Sequence, residues 1–245
     1  MITETLHRPW ELPRRRWTLA MHWHDLLFMH WPVHSTLLRP LIPPALEIDT
    51  FDGTAWVGVV PFRMTGVRLR YTPILPWLSA FPELNVRTYV QTQGKPGVWF
   101  FSLDAANPVA VRAARWTFHL PYFNAHMTVA YINGGVRYQS KRMHRGAFPA
   151  AFTGWYRPVG AVYHANPGTI DHWLTERYCL YAADRKSRLW RGDIHHHRWP
   201  LQPAEVDVDT NTMLEPVGVK PSPTAPLLHF AQRLDVVAWP LTPVH

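Results

Sequence analysis

The stretch PELNVRTYV, residues 82–90, has the alternating pattern of a β-strand. Successive side chains of a strand point to opposite faces of the sheet. One face therefore carries Leu84, Val86, Thr88 and Val90, and the other Glu83, Asn85, Arg87 and Tyr89. Two interpretations of the polar row are open. It faces water on a half-buried antiparallel strand, or it lines a pocket enclosed by the sheet.

Flanking segments have the same extended character. AWVGVVPFRMTGVRLR (55–70) and VWFFSLDA (98–105) predict strands before and after this stretch, and AHMTVAYINGGVRYQSKRMH (125–144) predicts a hairpin that turns at Asn133. Residues 187–208 predict one strand broken at Arg191 to Asp193, and residues 227–241 a last strand. Short helices are predicted after Ser35, over residues 105–115 and after Pro167.

The composition favours a mainly β protein. The chain has 245 residues, 47% apolar and 17% charged, with 24 prolines that break helices and 13 tryptophans that favour strands. No internal repeat or linker divides it, so we expect a single domain over residues 1–245, with residues 1–17 as a peripheral arm. Residues 71–82 hold three prolines and predict a loop long enough to act as a flap.

Charge and cysteine content limit the partners. The net charge of +8 comes from arginines scattered along the chain, without a nucleic-acid recognition motif, so we expect no nucleic-acid partner. The single cysteine, Cys179, fits a reducing compartment. No secretory signal or long apolar run is visible. We expect a soluble cytoplasmic protein with no membrane partner; a homo-oligomer is compatible with the sequence.

Glu83 and Arg87 need charge partners. They lie roughly 13 Å apart along the strand, too far for a direct ion pair. In a closed barrel the partners would come from neighbouring strands, with Arg63 on the preceding strand and Asp104 on the returning one as candidates. Since an unpaired buried charge is costly, such a network is either a structural support or a binding site.

The run His195, His196 and His197 raises the question of a metal site. On a strand, His195 and His197 share a face, which supplies two ligands where a functional site needs at least three. No recognised metal or cofactor motif accompanies the run, so we expect no metal and no cofactor. We include His196 among the candidate ligand-binding residues.

Seven segments together resemble the YqjF-like proteins, a bacterial group described as a domain of unknown function. The resemblance runs from about Trp23 to Leu241. The segments are WHDLLFMHWPV, FDGTAWVGVVPFRM, FPELNVRTYV, VWFFSLDA, LPYFNAHM, LTERYCLYAAD and IHHHRWPLQPAE. That family is similar in fold to acetoacetate decarboxylase, which implies a closed, mostly antiparallel β-barrel with a few short helices around a central cavity.

The resemblance favours a pocket and assigns residues to it. It matches Glu83 to a cavity-facing glutamate of acetoacetate decarboxylase. The stretch that carries the decarboxylase lysine corresponds to residues 120–123, where Tyr122 stands and no lysine occurs. A tyrosine cannot form the imine on which that decarboxylation depends. Of the four lysines, Lys141 is the one whose strand could direct it inward.

These observations predict a barrel that binds a small anionic or carbonyl-bearing molecule. Arg87, with Asn85, Arg63, Asp104 and His196, would bind it. Glu83 and Tyr122 would be the acid/base pair if the protein is an enzyme, with Glu83 moving a proton and Tyr122 stabilising an oxyanion. The alternative is a non-catalytic scaffold whose internal polar network only stabilises the barrel, with a cavity filled by aromatic side chains.

Overall fold

A computed structural model describes residues 4–75, 78–220 and 223–244. Strands dominate this part of the chain, and its helices are short. The α-helices are α1 (Ser35–Leu38), α2 (Pro108–Thr117) and α3 (Ile170–Thr175). The strands are β1 (Leu19–Val33), β2 (Glu47–Ile48), β3 (Ala55–Leu69), β4 (Phe81–Thr92), β5 (Lys95–Ala105), β6 (Tyr122–Ile132), β7 (Gly135–Arg142), β8 (Ala151–Pro158), β9 (Cys179–Ala183), β10 (Leu189–His196), β11 (Gln202–Asn211), β12 (Leu227–Ala238) and β13 (Thr242–Pro243).

Nine of these strands close into a barrel. The order around the barrel is β5, β6, β7, β8, β11, β12, β1, β3, β4 and back to β5. The β5–β6 pair is parallel and the other pairs are antiparallel. The expectation of a closed, mostly antiparallel barrel with a few short helices is confirmed. None of the described helices is long and apolar enough to cross a membrane.

In the barrel, β5 and β12 are connected through β6, β7, β8 and β11. A second connection between β5 and β12 runs through β9 and β10. The first half of β5 pairs with β9 at Val98 and Trp99, whereas its end pairs with β6 from Leu103 onwards. Likewise β12 pairs with β11 at Phe230 and with β10 from Val236 onwards. The strands between these branch points, β12, β1, β3, β4 and β5, are therefore shared by both connections.

The five shared strands form one sheet, the shared sheet. The side chains of β4 point alternately to its two faces. Leu84 and Val86 are fully buried and belong to the main core, together with Tyr138 and Phe152 of the β7–β8 side. The alternate residues of β4 face the β9–β10 side. In β5 a bulge at Phe101 shifts the register against β4 between Val86 and Arg87, so the partners of Val86 and Arg87 are Ser102 and Phe100.

Helix α2 begins at Pro108 because Asn107 caps it. The Asn107 side chain accepts hydrogen bonds from the backbone N–H groups of Val109 and Ala110, both at 3.1 Å, and proline is favoured in the first turn. The helix runs to Thr117, two residues past the predicted end at 115. It lies next to the end of β5, over one end of the shared sheet.

The described part of the N-terminal arm is anchored along β10. Arg8 donates to the backbone oxygen of Ile194, and Trp10 donates from Nε1 to the Asp193 carboxylate at 3.1 Å. The guanidinium of Arg8 also lies 4.9 Å from the centroid of the Tyr178 ring. The arm therefore covers the outer side of the β9–β10 connection.

Two local predictions and one omission need correction. The strand predicted over residues 187–208 is two strands, because β10 passes through Arg191 and Asp193 without a break and β11 begins at Gln202. Strand β8 was not predicted. The loop predicted over residues 71–82 ends sooner, since β4 already starts at Phe81; of this loop, residues 76 and 77 lie outside the described part of the chain.

Candidate functional site

A cavity of about 670 Å³ lies between the shared sheet and the β9–β10 connection. Side chains of β1, β3, β4, β5 and β12 line it from one side, and those of β9 and β10 from the other. Helix α2 and residues from the segment 72–79 stand at its outer end. Pockets of this volume typically hold small-molecule ligands.

The polar row of β4 faces this cavity. Glu83, Asn85 and Arg87 all belong to the lining, and Glu83 and Asn85 are only 3% and 5% exposed. Their neighbours Leu84 and Val86 are fully buried in the core on the opposite face of the sheet. The polar residues therefore look into an enclosed space rather than into bulk water.

Glu83 forms a hydrogen-bonded pair with Tyr122. The Tyr122 hydroxyl donates to Oε2 of Glu83 at 2.8 Å. Burial raises the pKa of Glu83 to about 8, against the lowering effect of that hydrogen bond, and Asp104 raises it further. Burial and the nearby Glu83 raise the pKa of Tyr122 as well. At neutral pH the carboxyl group is therefore mostly protonated, with Oε2 as the oxygen that accepts from Tyr122.

The backbone at Glu83 is held from the core side. The buried hydroxyl of Tyr138 lies 2.7 Å from the backbone oxygen of Glu83 and 3.0 Å from that of Phe62, the residue opposite Glu83 on β3. These two hydrogen bonds fix the position of the Glu83 backbone along the barrel axis. The position of the Glu83 side chain is thus set by the packed face of the same sheet.

Arg87 and Asn85 carry polar atoms that lack partners. Nε of Arg87 and Oδ1 of Asn85 are buried without a hydrogen bond. Within the described residues no carboxylate forms an ion pair with Arg87. Its guanidinium instead lies over Phe28, 5.1 Å from the ring centroid. A half-buried arginine beside a cavity, with no counter-ion, can receive an anionic group.

The sequence analysis missed three further cavity residues that carry buried, unpaired polar atoms: Trp23, Arg177 and Trp199. The ring nitrogens of both tryptophans and Nη2 of Arg177 are buried without partners, while Nη1 of Arg177 pairs with Asp49 at 2.5 Å. They come from segments far apart in the sequence, so no local pattern marks them. With Arg87 they bring four unpaired N–H donors to the lining of one cavity.

His196 lies in the lining, but its ring contacts backbone oxygens. Its Nδ1 is 2.6 Å from the oxygen of His197, and its Nε2 is 3.2 Å from that of Arg177. Burial lowers its pKa, against the raising effect of Glu176 and of these two backbone contacts. His195 turns instead towards Arg8 of the arm. Among the described residues no group of three or more histidines, cysteines or acidic residues is placed to hold a metal ion.

Arg63 and Asp104 do not reach the cavity, and the prediction that they complete its charge network is wrong. In the register, Arg63 lies opposite Pro82 and Asp104 opposite Leu84, which places both on the core-facing side. Arg63 lies 3.7 Å from the Asp25 carboxylate. The guanidinium of Arg142 donates three bonds of 2.7 to 3.1 Å to the Asp104 carboxylate, and both side chains are almost fully buried.

The four lysines all lie in the described part of the chain, and none of them lines the cavity. Lys141 is exposed on β7, so the suggestion that it points inward is wrong. At the position matched to the decarboxylase lysine, Tyr122 faces Glu83. The cavity thus offers a carboxyl group, a phenol and guanidinium groups, but no amine that could form an imine with a carbonyl compound.

Solved structures with the same fold include enzymes. The enduracididine biosynthesis enzyme MppR, complexed with pyruvate, matches with a TM-score of 0.63 and 11% identity, covering 96% of this chain and 93% of its own. Acetoacetate decarboxylase from Legionella pneumophila matches with a TM-score of 0.61 and 12% identity, covering 98% and 95%. At this level of identity, these likenesses show the fold alone.

The sequence comparisons identify the family. The uncharacterized protein YqjF of Bacillus subtilis (strain 168) is 46% identical over 230 residues, which cover 94% of each chain. Residues 20–235 match DUF2071, a family described as uncharacterized conserved protein. The resemblance to YqjF-like proteins found in the sequence is confirmed. The chain belongs to the DUF2071 family.

Proposed function

We propose that this protein binds a small anionic or carbonyl-bearing molecule in the cavity, with Arg87 holding the negatively charged group. The observation that carries the proposal is the pair of unpartnered polar atoms, Arg87 Nε and Asn85 Oδ1, in the wall of a cavity large enough for a ligand. Buried polar groups are normally hydrogen-bonded. A ligand carboxylate would satisfy Arg87, and a donor on the same ligand would satisfy Asn85.

Glu83 gives this site a proton donor. Its pKa of about 8 keeps the carboxyl group mainly protonated at neutral pH, and Oε1, which does not bond to Tyr122, is the oxygen from which it would donate to a ligand. A carbonyl oxygen of the ligand could accept this proton as negative charge develops on it. Tyr122 then positions the carboxyl group, and a direct role as an oxyanion donor would require its hydroxyl to turn away from Glu83.

The alternative, a network that only stabilises the barrel, predicts a different interior. A structural network would be fully paired, as Arg142 and Asp104 are on the core side. The cavity-facing Arg87 and Asn85 instead retain unpaired atoms, and the space beside them is not filled by aromatic side chains. These differences favour ligand binding over a purely structural role for Arg87 and Asn85.

Isothermal titration with pyruvate, acetoacetate and simple carboxylates tests the proposal. Pyruvate is chosen because MppR, which shares the fold, was solved with it. We expect Arg87→Met to weaken binding of the best ligand by roughly 10- to 100-fold, since hydrogen bonds to charged groups contribute about 1.5–3 kcal/mol. Arg63→Met is the matched control, because Arg63 is not part of the lining. Equal affinities of the Arg87 variant and the parent would overturn the proposal.

A further inference from the structure

We infer that the ligand is an amphipathic carboxylate, whose charged head lies at Arg87 and whose apolar tail runs towards α2. This inference rests on the proposed function and specifies the ligand class. It follows from the uneven distribution of polar and apolar residues along the length of the cavity.

Arg87 lies at the closed end. Beyond it on the same face of β4 comes Tyr89, which is fully buried and packs on Trp173 of α3, with ring centroids 4.8 Å apart. Leu174 of the same helix is also fully buried there. Arg177, which also lines the cavity, lies two residues after the end of α3. The guanidinium groups of Arg87 and Arg177 are thus near the inner end.

The outer half has an apolar wall. On the cavity-facing side of β4 the sequence from the inner end outward is Arg87, Asn85, Glu83 and then Phe81. Beyond Glu83 the wall is formed mainly by apolar side chains, among them Met21, Met64, Val67, Leu78, Phe81 and Ala110. The charged residue on this outward side is Arg68, which lies near the Trp17 ring, 5.8 Å from its centroid. A ligand that was polar along its whole length would place polar groups against these apolar side chains.

The length of the cavity also exceeds what a short acid needs. Arg87 lies six residue positions after Phe81 on β4, which corresponds to roughly 20 Å along the strand. A volume of about 670 Å³ is in the range of drug-sized ligands. Acetate or pyruvate at Arg87 would leave most of this space to water against apolar side chains, which is unfavourable.

The rim of the cavity is apolar as well. Leu75 and Val109, both part of the lining, are 40% and 55% exposed. Exposed apolar residues at a cavity mouth can cover the end of a ligand tail. The tail would then meet apolar surface along its whole path from Glu83 to the rim.

A chain-length series tests the inference. Straight-chain saturated carboxylates from acetate to decanoate, kept below their micelle-forming concentrations, are titrated calorimetrically into the full-length protein. Burial of one methylene group contributes about 0.8 kcal/mol, so we expect the dissociation constant to fall about fourfold per added methylene until the chain reaches the rim. The alcohol of the same length as the best acid should bind at least tenfold more weakly.

Variants on α2 separate the tail site from the head site. Ala113 lines the cavity and is exposed, so Ala113→Trp should narrow the outer end without disturbing the core. We expect it to weaken decanoate binding at least tenfold and to leave propanoate unchanged. Arg112→Trp, on the same helix, exposed and outside the lining, should leave both unchanged.

The outcomes distinguish the two proposals. If propanoate binds in an Arg87-dependent manner but affinity does not rise with chain length, the amphipathic ligand is refuted and the anion site stands. If long chains bind equally well to the parent and to Arg87→Met, binding is non-specific and the inference is refuted. If no saturated carboxylate binds but pyruvate or acetoacetate binds in an Arg87-dependent manner, the inference is refuted and the proposed function stands; if none of these compounds binds, both fail.

Discussion

Replacing Glu83 by glutamine removes one ionisable group from the cavity while keeping its shape. The amide oxygen can still accept the hydrogen bond from Tyr122, and the side chain volume hardly changes. What disappears is the proton equilibrium of a carboxyl group that is only 3% exposed. The variant therefore isolates the effect of that equilibrium on stability.

The sign and the size of this effect follow from the shifted pKa. Burial raises the pKa of Glu83 from its ordinary 4.5 to about 8, so between these pH values the folded protein holds a proton that the unfolded chain has lost. Stability is therefore lost as the pH rises from 4.5 to 8. At about 1.4 kcal/mol per pH unit, Glu83 lowers the free energy of unfolding by about 3 kcal/mol at pH 7 relative to pH 4.5.

Urea denaturation of the parent and of Glu83→Gln between pH 5 and pH 9 measures this effect. We expect the difference in free energy of unfolding, variant minus parent, to grow with pH and to level off above pH 8. Glu205→Gln, an exposed position on β11, is the matched control and should follow the parent curve. A difference for Glu83→Gln that stays constant over this pH range would show that the carboxyl group is ionised in the folded protein and would refute the reasoning.

Two structural substitutions test the packed side of the sheet. Asp104→Ala should lower the free energy of unfolding by about 3–5 kcal/mol, because it leaves the buried guanidinium of Arg142 without its partner; a loss below 1 kcal/mol in urea denaturation would contradict this. Gly97→Ala should cost about 1–3 kcal/mol, since the added Cβ would lie 2.7 Å from Sγ and 2.9 Å from the backbone oxygen of Cys179. An unchanged thermal transition of this variant would mean that β9 moves aside freely.

The side-chain alternation of β4 could be read from the sequence because it is a local property of one strand. The period of two assigns Glu83, Asn85 and Arg87 to a common face without any knowledge of the partners. The resemblance then identified that face as the cavity side and placed Tyr122 near Glu83. Both placements agree with the structure.

The charge partners could not be read in the same way. Whether Arg63 and Asp104 share a face with Glu83 depends on the register between strands, and a shift of one residue moves a side chain to the opposite side. The bulge in β5 is a further shift of this kind. Arg177 and Trp199 reach the cavity through the β9–β10 connection, whose course is set by long-range strand pairing rather than by any nearby residue pattern.

The two-sided use of β4 has an evolutionary consequence. Leu84, Val86 and Val90 pack in the hydrophobic core, whereas the odd-numbered positions from Glu83 to Arg87 line the cavity. Point substitutions at every second residue can therefore change the lining of the cavity while leaving the core-facing residues of β4 unchanged. An insertion or deletion of a single residue in this strand would exchange the two sets, placing carboxylate and guanidinium groups against Tyr138 and Phe152, so such length changes should be selected against far more strongly than substitutions.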